Sequence, residues 1–377
     1  MTRRIVEWNV TGTDRRVSRN LYTKAFMMPR QLRVNNQGHR VTLKFIAKYL
    51  GLSPTTVSVV LSNSPLASTI ADSTKVRIWE AVEKFQYRPN LFAQYLQSKR
   101  SYSIAVLVPE IGDEFSSMLI SGIESRLAEA KFNYFVESHR FAPAQIENSP
   151  DTLMDRLVEG MIFINTPLKK SMPVPVIAIS DITKAPGVKR IVIDNYEIAR
   201  IGLEHLKALG HTRLAFFKGP EENGDTEARW AAILHASNEL GLNVDPELTV
   251  TLGTYFSINQ MSMMQRGYAA ATTLLRNRHR FTALLAFNDK SAIGAIRAIQ
   301  DQGLQVPGDI SVIGVDDLEF SAYFSPRLTT IRQPLKSMGA AAASTLLREI
   351  HGEDAPEDTV LQPELVVRES AGPVSTK

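Results

Sequence analysis

The spacing of apolar residues divides the chain into a short helical part and a longer part of strands and helices. Between residues 41 and 88, apolar side chains recur at helical spacing, which predicts three short helices. From residue 103 onward, short β-rich runs alternate with amphipathic stretches. This alternation predicts doubly wound parallel sheets with right-handed crossovers, and the length of this part fits two such sheets.

The predicted elements can be placed along the chain. The three helices of the first part cover about residues 43–50, 54–62 and 74–85. Strands are predicted at 104–108, 134–137, 161–164, 176–179, 191–193, 214–217, 248–252, 284–287, 311–315 and 330–331. The helices between them are predicted at 116–130, 197–209, 229–240, 266–275, 291–302 and 337–350.

The first two helices are flanked by residues that begin and end short helices. Thr42 can cap the first helix, and Gly51 stands where a left-handed residue would end it. Ser53 can cap the second helix, and Pro54 follows at the first helical position, where its missing N–H costs nothing. Three residues, one of them glycine, separate the two helices, which is the signature of a helix-turn-helix.

A small core is predicted for these three helices. Val57, Val60 and Leu61 of the second helix are expected to face the first helix. The third helix is expected to close the core with its apolar residues, Val76, Ile78, Trp79, Val82 and Phe85.

The opposite face of the second helix is predicted to be exposed and suited to DNA. It carries Pro54, Thr55, Ser58 and Val59. Hydroxyl groups can donate to or accept from base edges, and the apolar atoms of Val59 can contact thymine methyl groups. A helix that lies in the major groove reaches bases with residues near its N-terminus.

Charge separates the same two parts of the chain. Residues 1–100 carry 17 Lys+Arg against 5 Asp+Glu, and the remaining residues carry 26 against 34. A basic first quarter on an acidic body is typical of a nucleic-acid-binding head joined to a separate domain. A basic tail that only keeps the protein soluble is the alternative at this level.

Composition and motifs exclude several other classes. No run of 18 apolar residues occurs, no apolar segment follows the basic N-terminus as in a signal peptide, and the absence of cysteine excludes disulfides and thiol catalysis. The sequence has neither a G-x-G-x-x-G after its first strand nor a Walker loop, and its histidines lack metal-ligand spacing. Asp316 and Asp317 could be paired carboxylates, but a structural role is favoured. We therefore expect a cytoplasmic protein that is not an enzyme and has no cofactor or metal.

Several ordered motifs resemble the lactose-repressor/galactose-repressor family. The first is Val41-Thr42-Leu43 … Leu50-Gly51-Leu52-Ser53-Pro54-Thr55-Thr56-Val57-Ser58, followed by Tyr87-Arg88-Pro89-Asn90. Later motifs are His205-Leu206 … Leu209-Gly210-His211, Phe287-Asn288-Asp289, Gly314-Val315-Asp316-Asp317, Leu328-Thr329-Thr330-Ile331 and Pro363-Glu364-Leu365-Val366-Val367-Arg368-Glu369-Ser370. The resemblance covers about residues 41–372.

This resemblance implies an all-α helix-turn-helix head on an α/β body whose two doubly wound parallel-sheet lobes resemble periplasmic binding proteins. Residues 41–88 would form the DNA-binding domain, 89–100 the hinge helix and linker, and 101–377 the effector-binding and dimerisation domain. Lobe 1 would comprise about 101–180 and 316–345, and lobe 2 about 181–315 and 346–377. The chain would therefore cross between lobes near 180, 316 and 345.

The resemblance also implies which residues contact DNA. The hinge segment is too short to be stable alone, and Leu96 stands at the family's minor-groove wedge position. The implied DNA-binding residues are Thr42, Ser53, Pro54, Thr55, Thr56, Ser58, Val59, Asn63, Tyr87, Asn90, Ala93, Leu96 and Lys99. Val59 stands where many members have Arg or Ala, so the operator sequence cannot be transferred.

The effector site is implied in the same way. Arg200 and Asp289 match the family's effector-binding arginine and aspartate. A surface arginine is the structural alternative for Arg200, whereas an exposed helix-capping carboxylate at Asp289 is compatible with ligand binding. Phe115 and Ser116 follow the first strand, and Ser116 replaces an aromatic residue of the purine-type members. The weaker candidates, for which core or capping roles are equally compatible, are Asn195, Arg229, Asp316 and Phe320.

Together these features predict a transcriptional repressor. It would bind a palindromic operator as a homodimer and respond to a small-molecule effector. The resemblance to the family implies that this effector is a sugar or a sugar derivative. The alternative is a periplasmic-type sugar-binding receptor without DNA function.

Residues 1–40 hold nine Lys+Arg against two acids, so disorder is the default expectation. They would either add nonspecific phosphate contacts or precede a translation start at Met27 or Met28.

Overall fold

A computed structural model describes residues 41–62, 64–88, 100–180, 185–221, 223–253, 261–276 and 281–375 of the protein. The chain forms two compact units, Met1–Lys99 and Arg100–Lys377. In the part of the chain covered by these ranges, no helix is long and apolar enough to cross a membrane.

The first unit contains the three expected helices, which are α1 (Leu43–Leu50), α2 (Pro54–Leu61) and α3 (Asp72–Lys84). A short 3-10 helix, Pro65–Thr69, lies between α2 and α3. The fully buried residues of this unit come from all three helices and from the segment that follows them. They are Ile46, Ala47, Val57, Val60, Ile78, Ala81 and Tyr87.

Two residues predicted to close this core do not do so. Val76 and Trp79 are 54% and 45% exposed. The buried face of α3 is formed by Ile78 and Ala81, and a helix turns by about 100° per residue, which directs Val76 and Trp79 away from that face. Phe85 does pack as expected, with its ring edge-on to Phe45 at a centroid distance of 5.1 Å.

The first lobe of the second unit is built on a six-stranded parallel sheet. Its strands are β1 (Ser103–Val108), β2 (Asn133–Ser138), β3 (Gly160–Ile164), β4 (Val176–Ile179), β5 (Lys189–Ile193) and β11 (Asp358–Leu361), in the order β11-β5-β4-β3-β1-β2. The helices of this lobe are α4 (Glu114–Glu129), α5 (Pro143–Met154) and α10 (Leu335–Ile350). The sequence pattern did not predict α5 or β11.

The second lobe repeats this plan. Its strands are β6 (Leu214–Lys218), β7 (Thr249–Thr251), β8 (Ala283–Leu285), β9 (Ser311–Asp316), β10 (Thr329–Arg332) and β12 (Glu364–Val366), in the order β12-β10-β9-β8-β6-β7. All neighbours are parallel except β12, which runs antiparallel to β10. Its helices are α6 (Asn195–Ala208), α7 (Thr226–Glu239), α8 (Met263–Arg276) and α9 (Asp289–Asp301). The predicted fold class, two α/β lobes with parallel sheets together with a helical head, is confirmed.

The predicted crossovers between lobes are wrong. Strand β5 still belongs to the first sheet and β10 to the second, so the chain crosses after residues 193 and 332. Helix α10 then packs on α4 in the first lobe, and the third crossover lies between β11 and β12, after residue 361. Each crossover therefore comes one element later than the expected positions near 180, 316 and 345, because strand pairing depends on partners distant in sequence.

Helices α8 and α9 approach each other closely at two glycines. A Cβ atom on Gly294 would lie 1.9 Å from the carbonyl oxygen of Met264, and one on Gly267 would lie 2.1 Å from that of Ser291. Neither backbone could move away without separating the helices. This packing sets the position of the first turn of α9, which carries Asp289 and Lys290.

Candidate functional site

The turn between α1 and α2 is held by the caps that the sequence predicts. The Phe45 N–H donates to Thr42 Oγ1 at 3.2 Å, and Gly51 ends α1 with a φ of 69°. The Thr56 N–H donates to Ser53 Oγ at 3.0 Å, and Pro54 is the first residue of α2. Because the Gly51 and Ser53 caps fix the turn, and Thr42 caps the other end of α1, the outer face of α2 is held in a defined orientation.

The outer face of α2 borders a hollow of about 340 Å³. Pro54 and Thr55 are exposed, and Ser58 and Val59 are half-buried. The hollow is lined by these four residues and by Leu43, Ser62 and Ser64. Its surface therefore combines hydroxyl groups with methyl groups, which is the chemistry required to read base edges and thymine methyl groups.

The other predicted DNA-binding residues have different positions. Thr42, Ser53 and Thr56 take part in the caps, and the hydroxyl groups of Ser53 and Thr56 are 2.8 Å apart. Tyr87 is 8% exposed and lies in the core of the head, and its contact with DNA stays a prediction. The remaining predictions, Asn63, Asn90, Ala93, Leu96 and Lys99, lie outside the described residues.

In the second unit, a buried cluster forms around Arg229 of α7. Its Nε donates to Asn195 Oδ1 and its Nη1 donates to the Phe287 carbonyl oxygen, both at 3.1 Å. The guanidinium also lies 5.1 Å from the ring centroid of Phe287, which is a cation–π distance. Arg229 is 4% exposed, so its fork is fixed by three contacts in one buried place.

Asp316, at the end of β9, is the acidic member of this cluster. It is 4% exposed, and its Oδ1 accepts from Gln333 Nε2 at 2.7 Å. Burial raises the pKa of Asp316 well above its usual range, the charge of Asp289 adds to this, and attraction to Arg229 opposes it. We therefore call Asn195, Arg229, Phe287, Asp316 and Gln333 the Arg229 cluster.

Contacts from the first lobe reach the same region. Asp113, whose side chain caps α4, forms an ion pair with Lys290 in the first turn of α9. The backbone N–H of Glu319 donates to Glu114 Oε1 at 2.8 Å. The charge of Asp113 also acts on Asp316. The Arg229 cluster thus lies in the second lobe beside the place where the two lobes meet.

Asp289 is neither exposed nor the cap of α9, which corrects the expectation of an exposed capping carboxylate, while its role in effector binding stays a prediction. It is completely buried, and Asn288 rather than Asp289 caps α9. Its carboxylate accepts from the Leu318 N–H at 2.9 Å, from Ser321 Oγ at 2.7 Å and from Thr330 Oγ1 at 2.5 Å. Asp289 therefore holds the loop after β9 against the sheet.

Arg200 is also placed differently from the expectation. Its side chain, 36% exposed, pairs with Glu197 and Glu204 on its own helix α6, each at 2.6 Å. Hydrogen bonds to these two carboxylates raise the pKa of Arg200. Arg200 thus has the surface position that was its structural alternative, and its role in effector binding stays a prediction, while the arginine buried in the cluster is Arg229. The sequence could not distinguish the two because both lie on predicted helices of the same lobe.

The aromatic candidates lie near the lobes' cores. Phe115 and Phe320 are half-buried and pack on apolar residues, while Ser116 is 2% exposed and donates its N–H to Asp113 at 3.4 Å. Sequence reasoning missed Gln333, Phe287 and Lys290. A signal was available, because each lies at the end of a predicted strand or within three residues after it, where α/β proteins place ligand-binding groups.

Two parts of the chain match known protein families. Residues 42–90 match the family described as bacterial regulatory proteins of the lacI family, and residues 203–371 match the periplasmic binding protein-like domain. The HTH-type transcriptional regulator DegA of Bacillus subtilis (strain 168) is 32% identical over 348 residues, which cover 89% of this chain and 100% of that protein.

Two solved structures share the fold. A lac repressor dimer bound to operator and the anti-inducer ONPF is 26% identical, with a TM-score of 0.76, over 88% of this chain and 99% of that chain. A LacI family regulator from Enterococcus faecium with bound ribose is 28% identical, with a TM-score of 0.62, over 72% of this chain and 100% of that chain. With its capped helix-turn-helix, its two parallel lobes and a full-length relative at 32% identity, the chain belongs to the LacI family of bacterial regulatory proteins.

Proposed function

We propose that this protein is a sequence-specific DNA-binding transcriptional repressor controlled by a small molecule bound between its lobes. The observation that carries the proposal is the presence of both parts of a LacI-type regulator in one chain. The capped α2 presents Thr55, Ser58 and Val59 on one face, and the second unit holds a buried polar cluster beside the meeting point of its lobes.

The head (residues 41–88) would place α2 in the major groove, with the hinge (89–100) joining it to the effector and dimerisation domain (101–377). A homodimer would read two half-sites of a palindrome, as expected for a two-fold symmetric helix-turn-helix protein. The lac repressor, a solved structure of the same fold, was crystallised as a dimer on its operator. In the cell this activity requires a cytoplasmic protein.

The effector would bind near the Arg229 cluster. A guanidinium fork, an amide and a carboxylate in one buried place can hydrogen-bond neighbouring hydroxyl groups of a sugar. The ring of Phe287 adds an apolar surface. The bound ribose in the Enterococcus faecium relative supports a sugar as the class of effector. Arg200 and Asp289 are left out of this site because both are already fully engaged elsewhere.

DNA retardation tests the DNA-binding half of the proposal. The protein should retard a fragment from upstream of its own gene, and its affinity should fall steeply with salt because phosphate contacts release counterions. Thr55→Val keeps the shape of the side chain but removes a base-reading hydroxyl, so it should weaken specific binding about fivefold or more. Thr69→Val, in the 3-10 helix, is the matched control. A protein that binds sugar but retards no DNA would instead be the periplasmic-type receptor.

A thermal-shift screen tests the effector half. Ribose and other neutral sugars are added singly at high concentration, and a bound sugar at about 100 times its dissociation constant should stabilise the second unit by about 2.7 kcal/mol. A screen in which only anionic or nucleobase ligands raise the melting temperature would overturn the sugar assignment while leaving DNA binding intact.

A further inference from the structure

Two polar contacts join the lobes directly. The ion pair between Asp113 and Lys290 connects the first residue before α4 in lobe 1 with the first turn of α9 in lobe 2. Beside it, the Glu319 N–H donates to Glu114 Oε1 at 2.8 Å. We call these two contacts the interlobe pairs.

The interlobe pairs are suited to opening and closing. Both side chains of the Asp113–Lys290 pair retain 24% of their surface, so water can solvate each charge when the lobes separate. Partly exposed ion pairs contribute only modestly to stability, because the charges are already well solvated when apart. A contact of this kind can bias the angle between two lobes without locking it, whereas the three crossover segments connect the lobes permanently.

The interlobe pairs are also connected to the Arg229 cluster. Lys290 directly follows Asp289, and Asp289 accepts hydrogen bonds from Leu318 and Ser321, on either side of Glu319. The same loop begins at Asp316, whose φ of 121° lies in a region that non-glycine residues rarely adopt. The loop therefore needs its partners to keep this conformation, and one of those partners, Glu114, belongs to the other lobe.

We propose that the Asp113–Lys290 ion pair is a latch that holds the two lobes closed without a bound effector, and that Asp113 and Lys290 are positioning residues for the effector response. The regulatory meaning of the latch rests on the proposed function, but the closure itself is measurable without DNA or effector. The latch keeps the loop after β9, and with it Asp316, in the arrangement that forms the Arg229 cluster.

The latch predicts opposite effects on the rate and the affinity of effector binding. A ligand enters when the lobes are open and is held when they are closed. Breaking the latch therefore increases the fraction of molecules that can admit ligand, while the affinity falls because the competent closed state is less populated. A residue with a merely structural role would not move the two quantities in opposite directions.

Spin-label distances test the closure. The natural chain has no cysteine, so exposed cysteines can be introduced without background. One pair is Ser125→Cys in α4 with Asn238→Cys in α7, and a second is Gln145→Cys in α5 with Thr273→Cys in α8. In each pair one label lies in lobe 1 and the other in lobe 2, so the distance between the labels changes when the lobes open. Labelled protein is diluted with unlabelled protein so that each assembly holds one labelled chain. The distance between the two labels is then measured by pulsed electron paramagnetic resonance.

Lys290→Gln and Asp113→Asn remove one charge each, and the asparagine can still cap α4. Each should raise the ratio of open to closed molecules about twofold to tenfold. Lys290→Asp should raise this ratio further, because it places a second carboxylate opposite that of Asp113 and the two repel each other. The double variant Asp113→Asn with Lys290→Gln should have no greater effect than either single variant, because both remove the same interaction. Lys170→Gln is the matched control, since its ion pair with Asp151 lies within lobe 1.

Distance distributions of Lys290→Gln and Lys290→Asp that equal the wild-type distribution for both label pairs would overturn the latch. A change shared by Lys170→Gln would also overturn it, because loss of any surface charge would then suffice. If the wild-type protein retards no DNA yet the distances change as expected, the latch stands and the proposed repressor function fails. For a chain that does bind its operator, Lys290→Gln should change operator affinity about threefold or more, and unchanged affinity would refute the positioning role.

Discussion

Replacing Asp289 tests whether its carboxylate stabilises the fold or instead serves to bind the effector. Asp289 is completely buried, and it accepts hydrogen bonds from the Leu318 N–H and from the hydroxyl groups of Ser321 and Thr330. In Asp289→Ala all three donors lose their acceptor. An orphaned buried donor costs about 1–3 kcal/mol, and a hydroxyl can turn to another acceptor whereas a backbone N–H cannot. We therefore expect the free energy of unfolding of the second unit to fall by about 2–4 kcal/mol.

The charge state of Asp289 adds a pH signature. Burial raises the pKa of this carboxyl to about 7, against 3.8 for the ordinary group. Between these values the folded protein holds a proton that the unfolded chain has lost, so the stability contributed by Asp289 decreases as pH rises through this window and is fully lost above about pH 7. Asp289→Asn keeps the volume and cannot titrate. Its stability relative to wild type should therefore improve from about pH 5 to about pH 8.

Urea denaturation followed by far-ultraviolet circular dichroism measures both effects. Asp354→Asn, whose parent side chain is 99% exposed, is the control for loss of one negative charge. The reasoning would be refuted by an Asp289→Ala protein as stable as wild type, or by a stability difference between wild type and Asp289→Asn that stays constant across the pH range.

Four further substitutions test other parts of the molecule. Ser53→Ala removes the cap of α2 and should destabilise the head by about 1 kcal/mol, measured by thermal melting; an unchanged melting temperature would contradict the cap. Gly294→Ala places a Cβ 1.9 Å from the Met264 carbonyl oxygen and should cost about 2 kcal/mol or more in urea denaturation, and a neutral effect would mean that α8 and α9 separate freely. Arg229→Lys keeps the charge but not the fork, so it should abolish the sugar-induced thermal shift while DNA retardation persists. Arg200→Ala should leave that shift intact, and its loss would restore Arg200 to the effector site.

The helix-turn-helix was predictable because its determinants are local. Thr42, Gly51 and Ser53 form hydrogen bonds or turns within a few residues of themselves, and these contacts are present as predicted. Strand and helix positions in the body were predictable for the same reason. Helix α5 was not predicted, because Pro150 lies inside it and interrupts the helical pattern. The short strands β11 and β12 were not predicted either, because their strand partners lie far away in sequence.

The chemistry of the site depends on contacts between distant residues. Arg200 and Arg229 both lie on helices of the second lobe, and only the packed structure shows that Glu197 and Glu204 engage the first while Asn195 and Phe287 surround the second. The role of a charged side chain is set by which groups surround it and how much water is excluded, and neither is a local property.

By itself, the sequence determined that this protein has a capped DNA-reading helix on a basic head and a body of alternating strands and helices, because caps, turns and periodicity act over a few residues. Only the tertiary structure decided where the chain crosses between lobes, that Asp289 is buried, and that Asp113 meets Lys290 across the two lobes. Those outcomes require residues far apart in the chain to come together, and burial and charge pairing exist only once they have done so.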